Sequence, residues 1–326
     1  MFRRGKISFI KSKNTPYIVP RSQSHGIQQQ FPLFVSAISV MEIEFGRIWH
    51  GHVNTLSEVF QKMSMNPLKN IIILSKYINI RSTQTSYCAK GSDIVIFLTG
   101  DTHIPLDISK LNTKNFSEQK NLTRDDYVII LGDFGLYWHE DKTYEHWHKW
   151  LQNKPFTILW VDGNHENHDW IDSMPISTWH GGKVHRDGNI IHLMRGQVFD
   201  INDKKFFVMG GADSYDRFLR IPYVNWWPEE CPNHTDIKNA EDMLNLVNFK
   251  VDYVLTHTCP TEVLATIKNR HPEYIFNDKE NYVESLLQNI KDYLTFKEWF
   301  FGHWHENFTY ENYHCLYDDI ICLNDL

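Results

Sequence analysis

Side chains that commonly bind metal ions occur along this chain in five short motifs. In chain order the motifs are Asp-Thr-His, Gly-Asp, Gly-Asn-His-Glu, Thr-His and Gly-His-Trp-His. Carboxylate oxygens and imidazole nitrogens together suit hard or borderline divalent cations. Two such cations about 3.5–4 Å apart can share one carboxylate and bind a phosphoryl group between them. The motif residues that we predict as metal ligands are Asp101, His103, Asp133, Asn164, His257, His303 and His305.

Each motif follows an apolar run that has the length of a β-strand. The runs occupy residues 94–98, 127–131, 157–161, 253–255 and 299–301. Ligands of open α/β sheets bind at the carboxyl ends of the strands, so the five motifs are expected to meet in one crevice. His303 and His305 are two residues apart, and on extended backbone such side chains point the same way. Both histidines can therefore face the predicted site.

The residues of the motifs also have simpler interpretations when each is taken alone. An Asp or Asn after a strand is often a helix N-cap or a turn former. A lone His257 is more often a buried histidine with its hydrogen bonds satisfied. The shared order of the motifs favours the metal site. Glu166 either orients a metal ligand from behind or begins a helix, and the sequence leaves both interpretations open.

Strand and helix patterns alternate along the second part of the chain. One apolar helical face consists of Tyr144, Trp147, Trp150 and Leu151, and another of Val283, Leu286, Leu287, Ile290 and Leu294. Three further strands, at residues 190–194, 197–201 and 205–209, are separated by short turns and predict an antiparallel meander. The combination predicts an α/β protein with more than one sheet.

The five motifs in this order resemble the signature of the calcineurin-like metallophosphoesterases. The resemblance covers about residues 93–326. Within it, Gly-Asp-Phe-Gly at residues 132–135 and Trp-Trp-Pro-Glu-Glu at residues 226–230 are similar to a bacterial and phage-type subgroup. The resemblance implies an α/β fold of two packed β-sheets flanked by α-helices, with the active site at the strand ends.

The resemblance also implies a role for each residue of the site. Those implied for the first metal are Asp101, His103 and His305. Those implied for the second are Asn164, His257 and His303, with Asp133 bridging both. His165 resembles the family's histidine that stands beside the phosphate and protonates the leaving oxygen, so it is the expected catalytic residue. Two divalent ions are expected, manganese first and iron or zinc as alternatives, with a hydroxide between them as nucleophile.

The sequence departs from one branch of this family. The protein Ser/Thr phosphatases continue the second motif with Asp-Arg-Gly, whereas here Asp133 is followed by Phe134, Gly135 and Leu136. Both the arginine and the acidic partner of the catalytic histidine are missing at these positions. The departure weakens a Ser/Thr phosphatase interpretation and leaves the partner of His165 unassigned.

We therefore expect hydrolysis of a phosphate ester, and the sequence leaves monoester and diester open. A phosphodiesterase or nuclease acting on nucleotides or nucleic acid is the second possibility. A metal-binding interaction module without catalysis is the alternative from a different class. In the loop before Glu230, Arg217 either binds the substrate phosphate or belongs to a solvated loop, and Trp226-Trp227 either stacks on a base or packs the loop.

Composition and charge narrow the protein class. The net charge of −7 argues against a protein that coats nucleic acid. Residues 31–41 are apolar over about half the length of a membrane span, so no membrane segment is expected. Five cysteines without a Cys-x-x-Cys motif favour a reducing, cytoplasmic location and no disulfide framework.

Residues 1–92 are expected to be a partly disordered extension of unknown role, and residues 93–326 are expected to be the catalytic domain. The oligomeric state is not indicated.

Overall fold

The computed structural model describes residues 94–270 and 281–326. Within these residues the chain forms thirteen β-strands in two mixed sheets, with α-helices packed against them. The predicted α/β fold of two sheets flanked by helices is thereby confirmed. The predicted extension, residues 1–92, lies outside the described residues, so its boundary stays a prediction.

The first sheet has seven strands, three of which carry predicted motifs. Its strands are β1 (Ile96–Thr99), β2 (Tyr127–Leu131), β3 (Thr157–Val161), β4 (Ile176–Trp179), β5 (Gly182–Asp187), β6 (Ile190–Leu193) and β13 (Ile321–Cys322). Their spatial order is β13-β1-β2-β3-β6-β5-β4. Strands β1, β2 and β3 are parallel, so their carboxyl ends lie along one edge of the sheet.

The second sheet has six strands, two of which carry the remaining motifs. Its strands are β7 (Gln197–Ile201), β8 (Lys204–Met209), β9 (Tyr253–Thr256), β10 (Glu298–Phe301), β11 (Phe308–Tyr310) and β12 (Tyr313–Cys315). Their spatial order is β11-β12-β10-β9-β8-β7. Strands β9 and β10 are parallel neighbours, so His257 and His303 follow adjacent strand ends.

Successive apolar side chains along the central strands point alternately into two cores, one on each face of the first sheet. In β2, Ile129 and Leu131 belong to the core between the sheets, together with Phe300 of the second sheet. Val128 and Ile130 belong to the core on the opposite face of the first sheet. Because both faces of these strands are buried, the sequence shows them as continuous apolar runs.

The described helices are α1 (Lys142–Gln152), α2 (His168–Ser173), α3 (His234–Leu246), α4 (Thr261–Arg270) and α5 (Tyr282–Lys291). The predicted apolar face of α1 packs on the outer core of the first sheet, and that of α5 packs on the second sheet. Leu294 joins the same core from beyond the end of α5. No described helix is long and apolar enough to cross a membrane.

The predicted meander at residues 190–209 is wrong in its first step. Strands β7 and β8 do form an antiparallel hairpin, but β6 belongs to the other sheet, where it pairs with β3 and β5. The backbone N–H of Met194 donates to Lys183 of the first sheet, and that of Gly196 donates to Val208 of the second. A three-residue connection therefore carries the chain between sheets, and spacing alone does not distinguish this from a hairpin.

The expectation that the chain has no disulfide framework is wrong at one cysteine. Cys231, Cys259 and Cys315 are free thiols, as expected for a chain without a disulfide framework. Cys322 is disulfide-bonded, so the expectation does not hold at this position.

Candidate active site

Six of the seven predicted ligands form two compact groups at the strand ends. The outer cluster consists of Asp101, His103 and His305, and the inner cluster of Asp133, His257 and His303. Within each cluster the potential ligand atoms all lie within 4.8 Å of one another. The outer cluster joins residues after β1 and β10, and the inner cluster joins residues after β2, β9 and β10, so both sheets contribute.

The carboxylate of Asp133 lies between the two clusters. One oxygen, Oδ2, is 3.2 Å from Nε2 of His103 in the outer cluster. The other, Oδ1, is 3.2 Å from Nε2 of His257 in the inner cluster. Asn164, the seventh predicted ligand, places its Oδ1 3.1 Å from the same nitrogen of His257. A carboxylate with one oxygen on each side is the arrangement required of a bridging ligand.

Partners behind the imidazoles fix which nitrogen faces the site. Nδ1 of His257 donates to the backbone oxygen of Leu131 at 2.8 Å, which leaves Nε2 directed at Asp133 and Asn164. Nδ1 of His103 is 2.9 Å from the carboxylate of Asp107, and its Nε2 again faces inward. Ligating histidines are oriented in this way by an acceptor on the other ring nitrogen.

The backbone is strained at the same positions. His103, Asp133, His303 and His305 have φ of +34°, +46°, +69° and +48°. Residues other than glycine rarely adopt this left-handed region, and such strain is concentrated at functional sites. The turns after β1, β2 and β10 therefore aim these side chains at a common point at some expense in local stability.

Two glycines make room for ligands that come from other strands. A Cβ on Gly132, which has φ of +91°, would lie 2.0 Å from Nδ1 of His257. A Cβ on Gly163 would lie 2.1 Å from Oδ1 of Asp133. Any side chain at either position would displace a predicted ligand, so these glycines are part of the geometry of the site.

The electrostatics of the clusters favour bound cations. Burial opposes ionisation of Asp133, but His257 and His103 hold the pKa of this carboxyl well below its ordinary value. Burial likewise opposes protonation of His257, yet the charges of Asp133 and Asp101 raise its pKa to about 9. The carboxylates thus draw positive charge onto His257, whereas burial and the charge of His257 lower the pKa of His303 to about 3. Divalent cations would satisfy the same carboxylates.

A buried relay behind Asn164 was missed by the sequence reasoning. Nδ2 of Asn164 donates to Oγ of Ser214 at 3.1 Å, and this hydroxyl donates to the carboxylate of Glu230 at 2.5 Å. Glu230, which is fully buried, also accepts from the backbone N–H of Ser214. Because the Ser214 proton goes to Glu230, its oxygen can only accept from Asn164, and Oδ1 of Asn164 must face the site.

Glu166 accepts hydrogen bonds from the backbone of the second motif and so has a structural role. It is fully buried and accepts from the backbone N–H groups of Phe134 and Gly135 at 2.7 and 3.3 Å. Burial, reinforced by Asp133, raises the pKa of Glu166 to about 8. Helix α2 begins two residues later, so Glu166 supports the turn that carries Asp133 and does not begin the helix.

Arg220 lies beside His165, whose partner the sequence left unassigned. Nη1 and Nη2 of Arg220 lie 3.1 and 3.4 Å from the two ring nitrogens of His165. The backbone N–H of His165 donates to Oδ1 of Asp133 at 2.8 Å. Burial, opposed by Asp133 and reinforced by Arg220, lowers the pKa of His165 below its ordinary value.

Arg217, the arginine predicted to bind substrate, lies beside Asp213, whereas Arg220 lies beside His165. Nη1 of Arg217 lies 4.0 Å from Oδ1 of Asp213. Of the two tryptophans, Trp227 is buried and donates from Nε1 to Asp169, which supports the packing interpretation for this residue. The sequence carries no signal that selects Arg220, because Asp213 and Arg217 have the same charges at the same four-residue spacing as Asp216 and Arg220.

Comparison with known proteins is consistent with this geometry. No similar sequence was found among functionally curated proteins. A family profile described as calcineurin-like phosphoesterase matches residues 94–307, which span more than half of the chain and contain all of the predicted metal ligands and His165. The chain therefore belongs to the calcineurin-like phosphoesterases, a family of metal-dependent hydrolases.

Proposed function

We propose that this chain hydrolyses a phosphate ester at a centre of two divalent metal ions. The observation that carries the proposal is the Asp133 carboxylate, with one oxygen 3.2 Å from a histidine of the outer cluster and the other 3.2 Å from a histidine of the inner cluster. A site for one ion would not need a carboxylate in this position.

The donors of the chain fit two ions. The outer cluster would hold one ion and the inner cluster the other, with Asn164 completing the inner set and Asp133 shared. Two carboxylates, four imidazoles and one amide oxygen suit manganese, iron or zinc. We propose manganese first and iron or zinc as alternatives, because the carboxylate and amide oxygens suit manganese and the imidazoles suit iron or zinc. When bound, two such ions supply Lewis acidity to water and to the phosphoryl group.

His165 would act on the leaving oxygen of the ester. Its backbone N–H is fixed to Asp133, and its ring lies 5.8 Å from the ring of His103, centre to centre. The imidazole therefore stands at the edge of the metal site without belonging to either cluster. The protonated ring of His165 could give its proton to the departing oxygen, as in general acid catalysis, and the negative charge of a bound ester would favour this form against the lowered pKa.

Sequence features outside the ligand set bear on the subgroup and on the alternative functions. The Gly-Asp-Phe-Gly stretch and the Trp-Trp-Pro-Glu-Glu segment support membership of the bacterial and phage-type subgroup. A nucleic-acid diester as substrate has little support, since the net charge is −7. A non-catalytic module would not require His165 beside a complete ligand set.

The test is hydrolysis of p-nitrophenyl phosphate and of bis-p-nitrophenyl phosphate with and without added manganese. We expect metal-dependent turnover that Asp133→Asn abolishes. The matched control is Asp200→Asn, which removes an exposed carboxylate paired with Lys205 away from the site. Protein that binds two equivalents of manganese and hydrolyses neither ester would favour the interaction module instead.

A further inference from the structure

Arg220 is held rigidly by the loop that follows β8. Its Nε and Nη2 donate to the two carboxylate oxygens of Asp216 at 2.7 and 2.8 Å. Its Nη1 donates to the backbone oxygen of Asn225 at 3.2 Å. This bidentate pairing plus a third contact fixes the plane of the guanidinium before any ligand arrives.

These three bonds leave two donors of Arg220 directed at His165. A guanidinium carries five N–H groups and accepts no hydrogen bond. One N–H on Nη1 and one on Nη2 remain, and these two nitrogens face Nδ1 and Nε2 of His165 at 3.1 and 3.4 Å. The edge of Arg220 that faces His165 is thus the edge that its own loop does not occupy.

His165 does not satisfy both of these donors. A neutral imidazole accepts at one nitrogen and donates at the other, and a protonated imidazole only donates. In either state, at least one N–H of Arg220 faces an N–H of His165. Converging donors of this kind are satisfied together by an oxyanion that contacts both groups, because each charged oxygen accepts several hydrogen bonds.

We propose that Arg220 and His165 form an anion subsite that binds the phosphoryl group of a phosphate monoester dianion. The inference rests on the proposed function and deepens it by choosing the ester class. A monoester has three non-bridging oxygens and two negative charges, whereas a diester has two such oxygens and one charge. A fixed guanidinium added to the metal site therefore favours the monoester.

The subsite also accounts for a departure of the sequence. No arginine follows Asp133 in the second motif, where the Ser/Thr phosphatases have one. Here the guanidinium reaches the catalytic histidine from the loop after β8. Asp216 is then a positioning residue, since it contacts Arg220 through both oxygens.

The test measures anion binding by calorimetry, without turnover, to manganese-loaded protein. The probes are inorganic phosphate, at a pH where it is a dianion, and dimethyl phosphate, a monoanion. We expect the unmodified protein to prefer phosphate. Arg220→Met should weaken phosphate binding by about ten- to a hundredfold, since a charge-assisted hydrogen bond is lost, and should change dimethyl phosphate binding much less. Arg220→Lys should restore part of the affinity for phosphate.

Arg186→Met is the matched control, because Arg186 lies on β5, outside both metal clusters, and donates to the backbone oxygen of Gly188. It should leave binding of both anions unchanged. Manganese content and thermal unfolding are measured for every variant, and Asp216→Asn provides a second route if Arg220→Met does not fold. In Asp216→Asn, phosphate affinity should fall by a smaller factor with metal content intact.

Three results would overturn the subsite. The first is phosphate binding by Arg220→Met that is as tight as in the unmodified protein. The second is equal weakening for both anions, and the third is no phosphate binding by the unmodified protein. Manganese-dependent turnover would survive any of these results, whereas failure of the proposed function would remove turnover from all variants and leave the binding comparison interpretable.

Discussion

The outer and inner clusters are built from the same residue types but differ in exposure. In the outer cluster the side chain of His305 is 49% exposed, and that of His103 is 16% exposed. In the inner cluster His257 is fully buried and Asp133 is 1% exposed. The difference lies in single residues, because Asp101 of the outer cluster is fully buried and His303 of the inner cluster is partly buried. An ion in the outer cluster would therefore meet more solvent than one in the inner cluster.

The two clusters also differ in what stands behind them. The outer cluster relies on Asp107, a partly exposed carboxylate, and on Tyr317, whose ring stacks on His305 at 4.7 Å between centres. The inner cluster is backed by a buried backbone oxygen and, through Asn164, by the relay of Ser214 and Glu230. Enclosure therefore brings a larger set of buried polar partners, each of which must be satisfied.

The largest effect on turnover should come from removing the Asp133 carboxylate, which the two clusters share. Asp133→Asn keeps the shape of the side chain but removes the charge between the clusters, so both ions should bind more weakly. We expect kcat to fall by about a thousandfold or more, in line with loss of a principal electrostatic group. Steady-state kinetics and metal analysis would measure this. Retention of two ions with ordinary turnover would show that Asp133 does not link the clusters.

Substitution of one histidine in each cluster should lower the free energy of unfolding by different amounts. His257→Ala removes a fully buried ring and leaves the carbonyl of Leu131 without that donor, so unfolding free energy should fall by about 2–4 kcal/mol. His305→Ala removes a half-exposed ring and one partner of the buried Asp101, so it should lower the unfolding free energy by a smaller amount, about 1 kcal/mol. Urea denaturation of the metal-free proteins gives both values. Equal losses would remove the distinction drawn from exposure.

A smaller effect should follow from cutting the relay behind Asn164. In Ser214→Ala or Glu230→Gln the amide of Asn164 is no longer held in one orientation, and affinity for one ion should fall about 10- to 100-fold. The second equivalent should bind as before, and excess manganese should restore kcat. Titration calorimetry separates the two equivalents. If Glu230→Gln binds both ions normally, the relay supports only the packing of its loop.

Strand ends were predictable because their positions depend on local patterns. The bounds of β2 and β3 coincide with apolar runs in the sequence, and a buried parallel strand must end where its polar turn begins. Asp133 and Asn164 are then predicted as ligands, because they come just after the ends of these strands. The connection at Arg195 was misjudged because its outcome depends on which sheet the next strand joins, and no local pattern records that choice.

The loop between β8 and α3 was not predictable for a related reason. Its conformation depends on distant partners, such as Asp162, whose carboxylate accepts from Nε of Arg195 at 2.7 Å, while that arginine also donates to the backbone of Glu229 and Glu230. Without these contacts the sequence offers two similar arginines at positions 217 and 220. Only three-dimensional placement separates the one beside Asp213 from the one beside His165.

The smallest expected effect concerns the rate at which the two ions leave. A chelator such as EDTA should remove manganese in two phases, with the faster phase coming from the outer cluster because His305 and His103 are open to solvent. His305→Ala should abolish the fast phase and leave the slow phase unchanged, whereas His257→Ala should abolish the slow one. Stopped-flow measurements with a metal-sensitive dye follow both phases. A single phase in the unmodified protein would indicate that the two ions exchange as one unit, coupled through the carboxylate of Asp133.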